Sequence, residues 1–297
     1  MDRIDDMRLF IRVVETRSFR GAARDLGLPA STVTDAVKRM EARLGVRLLE
    51  RTTRVVAPTL DGEAWYRRSL RIVSEMEDAE AAFRSGPPKG RLHVNAHGTL
   101  ARHFLIPRLP DFLERYPEID LLFSEGDRIV DLVREGVDCV VRAGIPADSD
   151  LIARRLGTLA EITVASPDYL ARHGVPKHPD DLDGHRMVGF LSSRTGAPLP
   201  LEFDLGERVI ERRLPVSVMF TAAESMVAAA RLGLGLIQVP RYRLDADLKA
   251  GTLVEVLAST PPTPTPVSAL YPRDRQLSPR VRVFLDWLRE IDFAAAG

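Results

Sequence analysis

One segment of the sequence constrains the fold more than any other, because it predicts two helices joined by a tight turn. It reads SFRGAARDLGLPASTVTDAVKRMEARLG and runs from Ser18 to Gly45. Ser18 is a favourable N-cap, and apolar residues then recur with the spacing of one helical face. Gly27 suits the left-handed conformation that ends a helix, and Pro29 stops that helix from continuing. The apolar face of the following helix comprises Val33, Val37, Met40 and Leu44.

These two helices, together with a preceding one, predict a helix-turn-helix. The first of the two is too short to be stable alone and needs a partner. A short helix, a glycine turn and a longer helix with one apolar face form this motif, although an ordinary helical hairpin has the same spacing. Polar side chains on the longer helix can reach phosphates and base edges in a DNA major groove. These side chains belong to Ser31, Thr32, Thr34, Asp35, Lys38 and Arg39.

The pattern after these helices predicts a β-wing. Two short apolar runs, Leu48-Leu49 and Val55-Val56, flank the polar segment ERTTR. A wing of this kind places Arg51 and Arg54 near the flanking DNA backbone. Residues 1–58 carry 12 Lys and Arg against 8 Asp and Glu, whereas the net charge of the whole chain is zero. Six of these basic residues cluster between positions 38 and 54, which is compatible with a phosphate-binding face or with a solvated helix surface. On charge alone, the solvated surface is the favoured interpretation. The clustered residues are Lys38, Arg39, Arg43, Arg47, Arg51 and Arg54.

A long helix is predicted after the wing. Thr59 is its expected cap, acidic residues occupy its first turn, and the pattern extends to Phe83. Apolar residues recur along it at near-heptad spacing, which indicates either antiparallel pairing between subunits or packing on the chain's own first domain. The segment GPPKG, residues 86–90, then forms a stiff hinge. The near-heptad residues are Trp65, Ile72, Met76, Ala79 and Phe83.

The rest of the sequence predicts an α/β domain, because strand and helix patterns alternate along it. Such alternation implies a parallel sheet that is covered on both faces. The predicted elements are a strand around Val94, a helix from Leu109 to Tyr116, a strand at Asp120–Ser124, a helix at Ile129–Glu135, a strand at Asp138–Arg142 and a strand at Val267–Tyr271.

The same topology predicts where a ligand binds. In such sheets ligands lie beyond the carboxyl ends of strands, near helix N-termini. Arg142 follows a strand and can pair with a carboxylate ligand or form a salt bridge within the domain. The candidate ligand-binding residues are His97, Gly98, Thr99, Ser124, Glu125, Gly126, Arg142, Gly144, Thr221 and Ala222.

Composition narrows the class of protein. The chain has 297 residues, of which 45% are hydrophobic and 28% charged, so two or three water-soluble domains are expected. No apolar run is long enough to span a membrane, and the acidic N-terminus lacks a signal-peptide core. The single cysteine, Cys139, excludes an internal disulfide and lies in an apolar run, so we expect a buried thiol and a cytoplasmic protein. The histidines follow no ligand spacing and no catalytic arrangement is readable, so we expect no metal, no cofactor and no enzyme activity.

The N-terminal part strongly resembles the DNA-binding domain of LysR-type transcriptional regulators. The matching features are SF-x-x-AA-x-x-L at Ser18–Leu26, S-x-V-[ST] at Ser31–Thr34, MEARLGVRLLERTTR at Met40–Arg54, and the Thr59–Gly62 cap. Two departures concern which DNA sequence is read. Pro29-Ala30 stands where many members carry a Ser-Gln or similar pair, and Asp35 stands where a basic or polar residue is common.

The resemblance continues through IPRLPDFLERYPEIDLLFSEGDRIVDLVREGVDCVVRAG, AAESMVAAARLGLGLIQVP and VSALYPRDRQLSPRVRVFLDWL. It implies an α/β multidomain chain with a winged helix-turn-helix, a linker helix and a two-lobed effector domain like a small periplasmic binding protein. Thr99 falls where a hydroxyl often contacts the effector. The implied divisions are a DNA-binding domain at 1–59, a dimerisation helix at 60–85, a hinge at 86–90, and an effector domain at 91–297 with lobe one at 91–162 and 267–297 and lobe two at 163–266.

The resemblance therefore implies a sequence-specific regulator of transcription. The expected partners are double-stranded DNA, RNA polymerase, further copies of the chain as a homodimer or homotetramer, and a small-molecule effector such as an organic acid. The alternatives are a ligand-binding or enzymatic α/β protein with a helical appendage, and an architectural DNA-binding protein without a ligand. The expected DNA contacts are Ser18, Arg20, Pro29, Ala30, Ser31, Thr32, Thr34, Asp35, Lys38, Arg39, Arg51, Thr52, Thr53 and Arg54.

Overall fold

The computed structural model describes residues 2–51, 56–81, 86–126, 130–145, 150–192, 195–273 and 277–294. These residues form a helical head, a long connecting helix and an α/β region of two lobes. No helix within these ranges is both long and apolar enough to cross a lipid bilayer.

The head contains the three predicted helices and the wing. Ser18 caps the second helix, since its Oγ accepts a hydrogen bond from the Gly21 N–H at 3.1 Å. Gly27 and Gly45 end the second and third helices with φ angles of 65° and 72°, in the left-handed region that glycine tolerates best. The tight turn between these helices is therefore confirmed. The elements are α1 (Arg3–Thr16), α2 (Phe19–Asp25), α3 (Ala30–Leu44), β1 (Leu49–Arg51) and β2 (Val56–Pro58), with β1 antiparallel to β2.

The connecting helix is α4, Leu60–Ala81, and Thr59 caps it as predicted, with the Gly62 N–H donating to Thr59 Oγ1 at 2.9 Å. The helix packs on the chain's own head as far as Val73, which is buried against Met7 and Ile11 of α1. Met76 lies further along the near-heptad seam and is 44% exposed. The packing alternative thus holds for the start of the seam, and Phe83 falls outside the described residues.

Lobe one is built on a five-stranded sheet with the order β4-β3-β5-β14-β6. Strands β4 and β5 lie on either side of β3 and run parallel to it, but β14 runs antiparallel to both β5 and β6. The prediction of a parallel sheet is wrong for β14, because this strand returns from the second lobe against the strand that leaves. The strands are β3 (Gly90–Ala96), β4 (Ile119–Glu125), β5 (Cys139–Ala143), β6 (Leu151–Leu159) and β14 (Thr265–Pro272).

Short helices cover this sheet. The helix predicted to begin at Ile129 begins only at Leu132, since Asp131 lies outside it and its N–H donates to Glu135 Oε1 at 3.2 Å, as a capping residue does. Cys139 is fully buried in the core of lobe one, and burial raises the pKa of its thiol. The helices are α5 (Gly98–Leu100), α6 (Leu109–Arg115), α7 (Leu132–Glu135) and α11 (Pro279–Leu288), with a π-helical turn at Ala101–Leu105.

Lobe two consists of three small sheets, and its central strand β7 (Glu161–Ala165) lies between β12 and β13. The chain crosses into this lobe at Ala160 and returns just before Thr265. The other elements are α8 (Pro167–His173), β8 (Met187–Phe190), β9 (Leu201–Asp204), β10 (Val209–Arg212), β11 (Val216–Phe220), α9 (Ala223–Arg231), β12 (Ile237–Pro240), α10 (Asp245–Ala250) and β13 (Val254–Val256).

Candidate DNA-binding surface and effector cleft

The polar face of α3 lies on the surface of the head, opposite the face that forms its core. Val33, Val37 and Met40 are fully buried against α1 and α2. The side chains of α3 that are predicted to contact DNA lie on the other side of the helix from these buried residues. Those classed as exposed are Pro29, Ala30, Ser31, Asp35, Lys38 and Arg39, whereas Thr32 and Thr34 are half-buried.

Two of these side chains already have partners in the head. Thr34 Oγ1 donates to the Ala30 carbonyl oxygen at 2.9 Å, one helical turn earlier. Arg39 Nη2 donates to Asp6 Oδ1 at 2.8 Å, and Asp6 is a buried residue of α1 with 4% exposure. Since a guanidinium has five N–H donors, Arg39 can still offer others to DNA. In the structure Arg39 forms an ion pair with the buried carboxylate of Asp6.

The remaining predicted DNA contacts are less uniform in position. The Ser18 hydroxyl is occupied as the cap of α2, whereas Arg20 on α2 is exposed. Arg51 ends β1 of the wing, and its side chain is not among the described parts. The predicted contacts that fall entirely outside the described residues are Thr52, Thr53 and Arg54.

A cavity of about 740 Å³ lies between the two lobes, where the predicted strand ends meet. Seven of the ten predicted effector contacts line it. They are His97, Gly98, Thr99, Glu125, Gly126, Thr221 and Ala222. The lining residues that the sequence did not single out are Arg102, Phe190, Leu191, Ser192, Gly196, Ala223, Glu224 and Arg243. We call this cavity the effector cleft.

Ser124 and Arg142 belong instead to a polar network inside lobe one. Ser124 Oγ lies 2.9 Å from His93 Nε2 and accepts from Asn95 Nδ2 at 2.8 Å. Arg142 Nη2 donates to Asn95 Oδ1, and its Nη1 donates to the Val141 carbonyl oxygen at 3.3 Å. Burial lowers the pKa of His93, which favours a neutral ring in this network. Ser124, Arg142 and Gly144 do not line the effector cleft.

The mouth of the cleft is bridged by one arginine. Arg102 of lobe one donates through Nη1 to Glu125 Oε2 at 2.8 Å and through Nη2 to Glu224 at the start of α9 in lobe two. All three side chains are well exposed, so solvent screens the pairs and each contributes roughly 0.2–1 kcal/mol. The bridge therefore contributes little to holding the two lobes together.

The inner cation of the cleft is Arg243, in the 3₁₀ turn Arg241–Arg243 that follows β12. Its Nη2 donates to His97 Nδ1 at 3.2 Å, which places the proton of a neutral His97 ring on Nε2. Within the described part of the chain, its Nε and Nη1 are buried and have no hydrogen-bond partner. Buried unpaired donors of this kind indicate that an acceptor belongs nearby.

Sequence reasoning missed Arg243 although a signal was present. The rule that singled out the ends of other strands also applies to β12, whose carboxyl end is followed by Arg241, Tyr242 and Arg243. In the same part of the cleft, Thr99 Oγ1 lies 3.3 Å from the Tyr242 hydroxyl. Among the described residues no group of three or more His, Cys, Asp or Glu side chains is placed to hold a metal ion.

Comparison with known proteins identifies the class. The model of the bacterial regulatory helix-turn-helix protein, lysR family, matches residues 4–63, and the LysR substrate binding domain model matches residues 85–292. The chain therefore belongs to the LysR family of DNA-binding transcriptional regulators, with an N-terminal helix-turn-helix domain and a C-terminal effector-binding domain.

Relatives of the full length support this assignment. The chain is 37% identical over 290 residues to the uncharacterized HTH-type transcriptional regulator YhjC of Escherichia coli K12, covering 97% of each. It is 34% identical to the solved structure of CrgA, a LysR-type regulator of Neisseria meningitidis, covering 96% of this chain and 97% of that one with a TM-score of 0.58. The full-length Vibrio cholerae virulence activator AphB is 27% identical, with 97% and 98% coverage and a TM-score of 0.57.

Proposed function

We propose that this regulator reads DNA with α3 and takes a small organic anion in the effector cleft, where Arg243 is its main anchor. The observation that carries the effector class is the pair of buried Arg243 N–H groups without acceptors. Because Nε and Nη1 lie on different edges of the guanidinium, an anion in the cleft would accept from one of them through a charge-assisted hydrogen bond, which is stronger than a neutral one. The apolar side chains of Phe190 and Leu191 line the same cleft and suit the hydrocarbon part of such an acid.

The DNA proposal rests on the exposed face of α3. Exposed Lys38 would bind a phosphate, and exposed Asp35 would accept from a cytosine amino group. Arg20 and Arg51 would hold the flanking backbone, and the wing carries the remaining predicted contacts. We further propose that two or four copies of the chain assemble through α4, bind a two-fold-related site and act on RNA polymerase.

The DNA proposal is tested on fragments that the purified full-length protein retains from its genome at near-physiological salt. Lys38→Ala should weaken binding to every retained duplex and lower the slope of log K against log salt by about 0.9, as loss of one phosphate contact requires. Lys249→Ala, an exposed lysine on α10, is the matched control and should leave the slope unchanged. An unchanged slope for Lys38→Ala would remove α3 from the DNA interface.

Two further variants separate positioning from reading. Arg51→Ala should weaken binding to all duplexes and flatten the salt dependence, like Lys38→Ala. Asp35→Ala should instead change the preferred base at one position of the site and leave the salt slope alone. Uniform weakening by Asp35→Ala would refute its role in base reading.

The effector proposal is tested by comparing carboxylic acids with their amides. Thermal stabilisation of the full-length protein by an acid but not by its amide identifies the anion preference, and Arg243→Gln should abolish it. Arg241→Gln is the control, because Arg241 lies in the same turn but pairs with Glu255 at 2.7 Å outside the cleft lining. Equal stabilisation by acid and amide would refute the proposed class. We infer that the cleft binds its ligand without converting it, so bound acids should be recovered unchanged.

A further inference from the structure

Glu161 occupies the point where the chain crosses between the lobes. It is the first residue of β7, just after β6 ends at Leu159. Thr265, the first residue of the returning strand β14, donates its hydroxyl to Glu161 Oε1 at 2.6 Å. One carboxyl group therefore ties the outgoing connection between the lobes to the returning one.

Arg243 faces this crossing as well as the cleft. The backbone N–H of Arg241 donates to the Ala160 carbonyl at 2.8 Å, which docks the turn carrying Arg243 against the crossing. The positive charge of Arg243 favours the ionised form of Glu161, yet the pair is not among the ion pairs that the described residues form. Arg243 thus acts electrostatically on Glu161 and also lines the cleft, so the Glu161 carboxylate and an anionic ligand would both be counter-ions for it.

The surroundings of Glu161 favour a bound proton close to neutral pH. Burial raises the pKa of Glu161 to about 7, and the negative charge of Glu202 acts in the same direction. The Thr265 hydrogen bond and the positive charge of Arg243 act in the opposite direction and lower this pKa. Further titratable groups near Arg243 and Glu161 are Glu202, His97, whose Nδ1 accepts from Arg243, and the Tyr242 hydroxyl, whose pKa burial raises, so that it stays neutral. Glu161 is therefore a carboxyl group at this crossing whose charge changes near neutral pH, beside the imidazole of His97 on the cleft side of Arg243.

We propose that Glu161 sets the charge preference of the effector cleft, because its proton decides whether Arg243 has an internal counter-ion. With the proton on Glu161, the Arg243 cation is available to an anionic ligand. When Glu161 loses the proton, its carboxylate competes with the ligand for the same guanidinium. Binding of an anion is then accompanied by uptake of a proton, and anion affinity falls up to tenfold for each pH unit above the Glu161 midpoint. The inference rests on the anion site proposed for Arg243.

The test follows Glu161 directly in the full-length protein labelled with ¹³C at the glutamate carboxyl. Its resonance is the one absent from Glu161→Gln, whose amide oxygen still accepts from Thr265. We expect a titration midpoint near neutral pH, which Arg243→Gln should move upward by about one unit because the nearby cation is lost. Arg243→Lys retains the charge and should restore most of the wild-type midpoint. An ordinary glutamate midpoint, or one that ignores Arg243→Gln, overturns the inference.

A second arm adds acetate as the simplest carboxylate probe, with acetamide as its neutral control. Acetate should raise the Glu161 midpoint and shift the Arg243 Nε–H resonance, and acetamide should do neither. If acetate shifts Arg243 but leaves the Glu161 midpoint in place, the coupling is refuted and the anion cleft stands. If acetate shifts neither signal, the anion cleft itself fails and the coupling fails with it.

Discussion

Gly62 allows the start of α4 to lie against the backbone that enters the wing. A Cβ atom built on Gly62 would lie 1.9 Å from the Leu48 carbonyl oxygen and 3.2 Å from Pro58 Cβ. Contacts between a carbon and a carbonyl oxygen are normally no shorter than about 3.3 Å, so Gly62→Ala must separate α4 from the wing. The same shift would strain the hydrogen bond that the Thr59 N–H donates to Leu48 O at 3.0 Å.

The expected sign is opposite to the usual effect of this substitution. Glycine to alanine inside a helix normally stabilises by about 1 kcal/mol. Here overpacking costs about 1–3 kcal/mol and the weakened hydrogen bond about another 1 kcal/mol, so the head should lose roughly 1–3 kcal/mol overall. DNA affinity should fall with it, because β1 and β2 of the wing are displaced relative to α3.

Urea unfolding measures this loss. Trp65 packs against the core of the head, so its fluorescence reports that domain once Trp287 of lobe one is replaced by phenylalanine. Gly86→Ala is the control, because a Cβ atom there meets nothing within 4 Å. If Gly62→Ala unfolds at the same or a higher urea concentration than its parent and binds DNA equally well, the close approach of α4 to the wing is not what the structure describes.

Two further predictions concern buried carboxyl groups. The pKa of Glu161 rises from 4.5 to about 7 on folding. Its contribution to the free energy of unfolding is therefore fully present below about pH 4.5 and is lost as pH rises through 7, by up to about 3 kcal/mol. Urea unfolding of the effector domain across this range should show the loss in the wild type but not in Glu161→Gln, and parallel pH curves for the two would contradict the prediction. Arg39→Ala removes the partner of buried Asp6 and should destabilise the head by about 1–3 kcal/mol, whereas Lys38→Ala should leave its unfolding midpoint unchanged. Equal midpoints for both variants would show that Asp6 does not need Arg39.

The head was largely predictable because its determinants are local. Ser18, Gly27 and Gly45 act within one turn of the chain, and the apolar spacing of each helix depends only on near neighbours. The long-range partners of its polar residues were not predictable in this way. Arg39 was assigned to DNA from its place on the polar face of α3, but its partner Asp6 lies two helices earlier in the sequence and adjacent in space.

The position of the effector cleft was predictable from the sequence, but the arginine that lines its inner part was not. Strand ends gave Thr99 and Glu125 on one side and Thr221 on the other, since the topology fixes where such ends meet. Which arginine faces the cleft depends on side-chain partners that no spacing reveals. Arg142 is held by Asn95, whereas Arg243 becomes the inner cation only because the Arg241–Arg243 turn docks on the crossing at Ala160.

The packing of α1 joins the head and the long helix into one arm. α1 is joined to α3 through Asp6 and Arg39, and to α4 through the buried contact of Met7 with Val73. The 22 residues of α4 span about 33 Å at the rise of an α-helix. A tilt of about 6° at the far end of such an arm moves α3 by about 3.4 Å, the spacing of successive bases along a DNA strand. A small change of angle at the effector domain is therefore sufficient to move the DNA-reading surface by one base-pair step.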